Sequence, residues 1–168
     1  MSSSNYDITY VLDANIFRPL FDYYYPPDLF PEIWNGLEKL DRQGLLTSVR
    51  DVKTECENHF KSYPEALAWL NDHATIFQSP TEDELEFLSE LLSQNEFKMS
   101  KEEIEKGKTK ADPLLVAKGK CSGAVVVTAE TYRPHGRKIP TMCDRYNVPC
   151  IGRIEFIRIL REINSRID

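Results

Sequence analysis

Ala111-Asp112-Pro113-Leu114-Leu115-Val116-Ala117-Lys118-Gly119-Lys120-Cys121-Ser122-Gly123-Ala124-Val125-Val126-Val127-Thr128 reads as a helix followed directly by a strand. Pro113 suits the first helical turn, where its missing N–H leaves nothing unsatisfied. Gly123 is a natural stop, because glycine adopts a left-handed C-terminal cap without strain. Ala124–Thr128 is β-branched and apolar, the clearest strand in the chain. Near the start, Ile8-Thr9-Tyr10-Val11-Leu12 reads the same way and ends at Asp13.

The intervening sequence alternates in kind. Phe21 through Pro27 look like a loop leading to a helix over Pro31–Leu40, broken at Gly44 and followed by a very short strand at Leu45-Leu46-Thr47. Ser48 either caps a helix carrying Val49, Val52, Cys56 and Phe60 or touches a site, the cap being the preferred reading. A second helix is predicted over Pro64–His73. Thr81-Glu82-Asp83-Glu84 is a capping box ahead of Leu85, Leu88, Leu91 and Leu92 at helical spacing. Ser100-Lys101-Glu102-Glu103 repeats the box and opens a shorter helix, with a loop over Lys106–Lys110. Pro140–Tyr146 reads as helix, Pro149–Ile151 as a short strand and Ile154–Ile163 as a final amphipathic helix. Strands separated by helices predict an α/β fold, a three-layer α/β/α sandwich on a mostly parallel central sheet.

Composition sets limits. The 168 residues suit one domain, 1–168, and 41% hydrophobic with 29% charged residues fits a soluble globular protein. No apolar run is long enough to span a membrane, and the first residues lack the basic and apolar segments of a secretory signal. Cys56, Cys121, Cys143 and Cys150 are scattered without a Cys-x-x-Cys pair, so reduced thiols and a cytoplasmic location are expected and a zinc ribbon is excluded. Residues 1–130 carry 13 basic and 23 acidic side chains; residues 131–168 carry 8 and 4. Net acidity does not exclude a nucleic-acid substrate, because binding follows the local patch.

Ligands of parallel α/β sheets sit outside the carboxyl ends of the strands. Asp13 follows the first strand, Glu130 lies two residues beyond Thr128, and Asp112 occupies the first turn of a helix that starts at this edge. Glu55 is placed to lean over it. Each acid alone has an ordinary reading as a cap or a solvated residue. Together they would repel, and a hard divalent cation relieves that repulsion.

These positions carry a family resemblance. Tyr10-Val-Leu-Asp-Ala-Asn-Ile-Phe17 resembles the opening of PIN-domain nucleases, and Ser48-Val-Arg-Asp-Val-Lys-Thr-Glu55 is similar to their second motif. Lys110-Ala-Asp-Pro-Leu-Leu-Val-Ala117 resembles the third, and Val125-Val-Val-Thr-Ala-Glu130 the fourth. The likeness is closest to a PIN-like family of unknown function associated with toxin–antitoxin loci, and extends into Lys138–Cys143 and Val148–Ile151. It departs at Glu130, where most PIN domains carry Asp, and at the insertion-like loop 131–139.

The resemblance implies an endoribonuclease using one or two Mg²⁺ or Mn²⁺ ions and leaving 5′-phosphate and 3′-hydroxyl ends. Asp13, Glu55 and Asp112 would hold metal, Glu130 would assist a second ion, and Asn15 and Thr128 would orient the carboxylates. A toxin role with a cognate antitoxin protein follows from the likeness alone. Arg133, His135, Arg137 and Lys138 read equally as RNA-phosphate contacts or a solvated loop, as do Lys106, Lys108 and Lys110. Tyr23-Tyr24-Tyr25 are read as packing or homodimer contact in preference to base stacking, and Arg158, Arg161 and Arg166 as facing solvent or a partner. Cys143 and Cys150 read as neighbouring buried thiols, and His59 and His73 as isolated. Two alternatives stand: an inactive PIN-like module that binds RNA or a regulator, and a haloacid-dehalogenase-type phosphatase. The second is disfavoured because Asn15 replaces the acid needed two residues after the nucleophilic Asp.

Overall fold

The computed structural model describes residues 8–22, 24–100, 102 and 111–166. The chain order is β1 (Tyr10–Leu12), α1 (Ala14–Phe21), α2 (Pro31–Arg42), β2 (Leu46–Val49), α3 (Arg50–His59), α4 (Pro64–Asp72), a 3₁₀ turn (Ala74–Ile76), β3 (Phe77–Gln78), α5 (Glu82–Ser93), α6 (Ala111–Ser122), β4 (Val125–Val127), α7 (Ile139–Arg145), β5 (Cys150–Ile151) and α8 (Arg153–Ser165). The five strands form one parallel sheet in the order β3-β2-β1-β4-β5, the expected α/β sandwich. The helix expected after Ser100 and the loop at 106–110, Lys110 included, lie outside the described residues.

Strand order locates the site. From β1 the chain steps outward to β2 and β3, then returns across the sheet to β4 and β5. Right-handed crossovers therefore put the first helices on one face and α5–α7 on the other. The direction reverses between β1 and β4, so their carboxyl ends flank the crevice where such sheets bind ligands. Register is continuous there: Tyr10 pairs with Val125, Val11 with Val126 and Leu12 with Val127. Val11, Leu12, Val126 and Val127 are fully buried, which explains their uninterrupted apolar run.

Two elements escaped the sequence reading. The helix α1 begins immediately after Asp13 and contains Pro19. Proline usually disfavours helix interiors, but here hydrophobic packing outweighs that local cost. Phe21 lies 5.2 Å from Trp34 and 5.4 Å from both Phe60 and Trp69 (ring centroids), clamping α1 to α2, α3 and α4. The edge strand β3 is two residues long, too short for any periodic pattern. Tyr25 packs edge-on against Phe30, as the packing reading expects, whereas Tyr24 is exposed.

Ser48 corrects an expectation. The helix α3 starts at Arg50, and Ser48 lies in β2, fully buried. Its hydroxyl donates to the Leu12 carbonyl at 2.6 Å, so it ties β2 to the end of β1 instead of capping a helix. The capping box at Thr81 is present: Thr81 Oγ1 accepts from the Glu84 amide and Glu84 Oε2 from the Thr81 amide, each at 3.2 Å. Glu84 also pairs through Oε1 with buried Lys118 at 3.1 Å, linking α5 to α6. Both carboxylate oxygens are thereby satisfied, as a buried charge requires.

The helices α2 and α8 cross at Gly36. A Cβ there would lie 2.1 Å from the Leu160 carbonyl oxygen, so the backbones are closer than any larger residue permits. Gly36→Ala should therefore destabilise the protein by about 1–3 kcal/mol despite alanine's better helix propensity. Chemical denaturation checks this; an unchanged or higher midpoint would refute the close packing.

Candidate metal centre

Asp13 terminates β1, and its amide donates to the Val127 carbonyl at 3.0 Å, extending the sheet by one bond. Its side chain serves two partners. Oδ1 accepts from the Ala14 amide at 2.7 Å and caps α1, while Oδ2 accepts from the Thr128 hydroxyl at 2.8 Å. The capping reading of Asp13 thus holds, with its second oxygen turned to Thr128.

Thr128 is the hub. Its Oγ1 donates to Asp13 and accepts from Asn15 Nδ2 at 3.3 Å and from the Glu130 amide at 3.1 Å. Asn15 Oδ1 also accepts from the Ala129 amide at 2.9 Å. Asn15 therefore orients Asp13 through Thr128 and has no direct bond to the carboxylate. The hydroxyl's donor and two acceptor positions are all used, which fixes its direction.

A cleft of about 570 Å³ opens above this hub, lined by Asp13, Glu55, Asp112 and Glu130, with Asn15, Arg18, Arg137 and Lys138. Leu92, Phe97, Met99, Pro113 and Met142 complete its wall. All four acids singled out in the sequence thus face one space. Asp112 arrives from the first turn of α6, Glu55 from α3 and Glu130 from the loop after β4.

Their charge is under tension. Burial chiefly raises the pKa of Asp13 to about 7, with Asp112 and Glu130 adding repulsion against the hydrogen bonds from Thr128 and Ala14. Burial also raises that of Asp112 to about 6, with Glu130 and Glu55 reinforcing it and Lys138 opposing. The other two acids have cationic neighbours. Glu55 pairs with Arg18 at 2.7 Å; Glu130 accepts from Lys138 at 3.2 Å and from the Ile139 amide at 2.9 Å. With Glu55 and Glu130 so engaged, the four carboxylates do not form a preassembled cage. Among the described residues, the group whose ligand atoms all lie within 4.8 Å of one another is Glu38, Asp41 and His73, at the amino ends of the strands.

The basic residues separate. Lys138 and Arg137 line the cleft, and Arg137 also donates through Nη2 to the Lys98 carbonyl. Arg133 is exposed and outside the lining; its carbonyl accepts from Thr141 Oγ1 at 2.8 Å and shapes the loop. Arg18 was missed because α1 was not read as a helix; once it is, Asn15 and Arg18 fall three residues apart on one face. Neither histidine is isolated. His59 meets Asp22 at 3.0 Å and His73 meets Glu38 at 2.9 Å. The cysteines are free thiols; Cys143 is buried as expected, whereas its neighbour Cys150 is only half-buried.

The raised carboxyl pKa values bear on stability. An unfolded aspartate loses its proton near pH 4, whereas folded Asp112 holds it to about 6. Between these values the folded state binds more protons, so the contribution is full below pH 4 and is lost as pH rises through 6. Asp112→Asn cannot ionise and should raise the melting temperature in EDTA at pH 8 by several degrees, on the order of 2 kcal/mol, with little change at pH 4. Thermal melts across this range check it; a destabilised variant at pH 8 would refute the tension.

No helix among the described residues is long and apolar enough to cross a membrane. No curated protein and no solved structure matches the chain. One family does, over residues 10–163 and so from β1 into the last helix. The chain belongs to that family, described as a domain of unknown function, DUF4411.

Proposed function

We propose that this protein is a PIN-like, divalent-metal-dependent endoribonuclease that acts in the cytoplasm as the toxin of a toxin–antitoxin pair. The observation that carries the nuclease reading is the convergence of Asp13, Glu55, Asp112 and Glu130 on one cleft at the reversal point of the sheet. Burial and mutual repulsion raise the pKa values of two of these acids, as at many functional sites, and this supports the reading. The all-oxygen donor set fits Mg²⁺ or Mn²⁺, hard cations that keep several waters and need few protein ligands. The toxin role, with its cognate antitoxin protein, rests on the sequence resemblance alone.

Asp13 and Asp112 would hold the first ion, with Glu55 joining when it leaves Arg18 and Glu130 placed for a second. Bound metal would lower the pKa of a coordinated water and neutralise charge on the phosphate under attack. The chain's own residues perform the positioning. Thr128 aims Asp13, Asn15 aims Thr128, and Ser48 anchors the backbone at Leu12 next to Asp13. Arg18, Arg137 and Lys138 offer cationic contacts to RNA phosphates around the acidic centre. The apolar wall of Phe97, Met99 and Met142 would offer a nucleobase a surface to pack on.

Cleavage of total RNA with Mn²⁺ tests the reading. Wild type should cut, EDTA should abolish cutting, and Asp112→Asn should lower it at least about 100-fold. Thr128→Val, which leaves Asp13 unaimed, should cost roughly 10- to 100-fold. A chain that binds RNA equally well as wild type, Asp13→Asn and Asp112→Asn but never cuts it would establish the non-catalytic module instead.

A further inference from the structure

We infer that Glu38, Asp41 and His73 form a second metal site, selective for a borderline ion such as Zn²⁺ and separate from the acidic cleft. It joins the carboxyl-terminal half of α2, which supplies both acids, to the residue that ends α4. Crossover helices run opposite to their strands, so this junction lies at the amino edge of the sheet, away from Asp13 and Asp112.

Donor spacing supports the assignment. His73 Nε2 is 2.9 Å from Glu38 Oε1 and 3.7 Å from Asp41 Oδ2, and ligand atoms of all three lie within 4.8 Å of one another. Around a tetrahedral ion with bonds of about 2.0–2.1 Å, neighbouring donors stand about 3.3–3.4 Å apart, between these two separations. One imidazole nitrogen with two carboxylate oxygens suits Zn²⁺ better than the all-oxygen set of the cleft.

The surroundings point the same way. His73 Nδ1 lies 2.8 Å from the Trp69 carbonyl, the contact that fixes a ligating histidine with Nε2 facing the metal. The imidazole stacks on the Trp69 indole at 4.0 Å and 15°, so its plane is held. Trp69 Nε1 donates to Glu38 Oε1 at 3.3 Å and steadies the first carboxylate. The His73 side chain is 14% exposed, sheltered yet reachable. Asp41 also borders a cavity of about 380 Å³ with Gly44, Thr47 and Thr75. Glu38 and Asp41, three residues apart, share one face of α2, whereas His73 reaches them only through the fold.

Titration calorimetry with Zn²⁺ and thermal melts of the full chain test the site. Wild type should bind Zn²⁺ with a melting temperature raised by roughly 5–10 °C at a hundredfold excess over the dissociation constant. In the Asp112→Asn background, where the cleft no longer competes for the ion, His73→Gln and Glu38→Gln should each weaken this binding at least about 10-fold and remove the shift, with unchanged far-ultraviolet circular dichroism. Asp112→Asn, in the cleft, should keep both. Co²⁺ should give tetrahedral ligand-field bands in wild type and Asp112→Asn but not in His73→Gln. Equal Zn²⁺ binding by Asp112→Asn with and without His73→Gln, or no binding by wild type, would overturn the site and leave an imidazolium clasped by two carboxylates. RNA cleavage plays no part in these readouts, so they stand apart from the nuclease proposal.

Discussion

Parallel pairing of β1 with β4 is the constraint on which the rest of this molecule depends. Two three-residue strands far apart in the chain meet in register, and their last bond runs from the Asp13 amide to the Val127 carbonyl. Strands this short gain little from their few ladder bonds. They are held because both faces are covered, leaving Val11, Leu12, Val126 and Val127 without solvent contact. Once they are in place, Asp13 and Thr128 must meet, and a single hydroxyl bonds residues 115 apart in sequence. A slip of one residue in this register would mismatch the packing on both covered faces and break that contact.

The cleft departs from the charge pairing seen elsewhere in the fold. Elsewhere buried charge is paired, as in Lys118 with Glu84, where both carboxylate oxygens have partners. Above β1 and β4 the rule is relaxed: Asp13 and Asp112 are desolvated with no cation bonded to either in the described contacts, and Glu130 adds repulsion to both. A chain that needed only stability would place amides or apolar residues there. Unpaired carboxylates in a crevice at the switch point suit a cation-binding site, and this underlies the nuclease proposal. Arg18 and Lys138 temper the charge from the rim, at Glu55 and Glu130. Each holds an acid that a bound cation would compete for.

Much of the architecture was legible locally. The capping box at Thr81, the proline start and glycine stop of α6, and the apolar strands all report interactions within a few residues, so composition and spacing suffice. Asp13, Asp112 and Glu130 could be placed together because strand direction and crossover geometry fix where element ends fall. The helix α1 was opaque because Pro19 argues locally against it, and only aromatic packing on α2, α3 and α4 decides it. Ser48 was misread because its preference for helix caps is local, whereas its observed bond reaches a neighbouring strand.

The sequence by itself determined most of the elements, their order and which edge of a parallel sheet would collect acidic side chains, since these follow from short-range sterics and chirality. Tertiary structure alone decided the strand order, the pairing of Arg18 with Glu55, and the approach of His73 to Glu38 and Asp41. Those contacts join residues distant along the chain, and their geometry is set by how helices pack across the sheet, which no local pattern encodes.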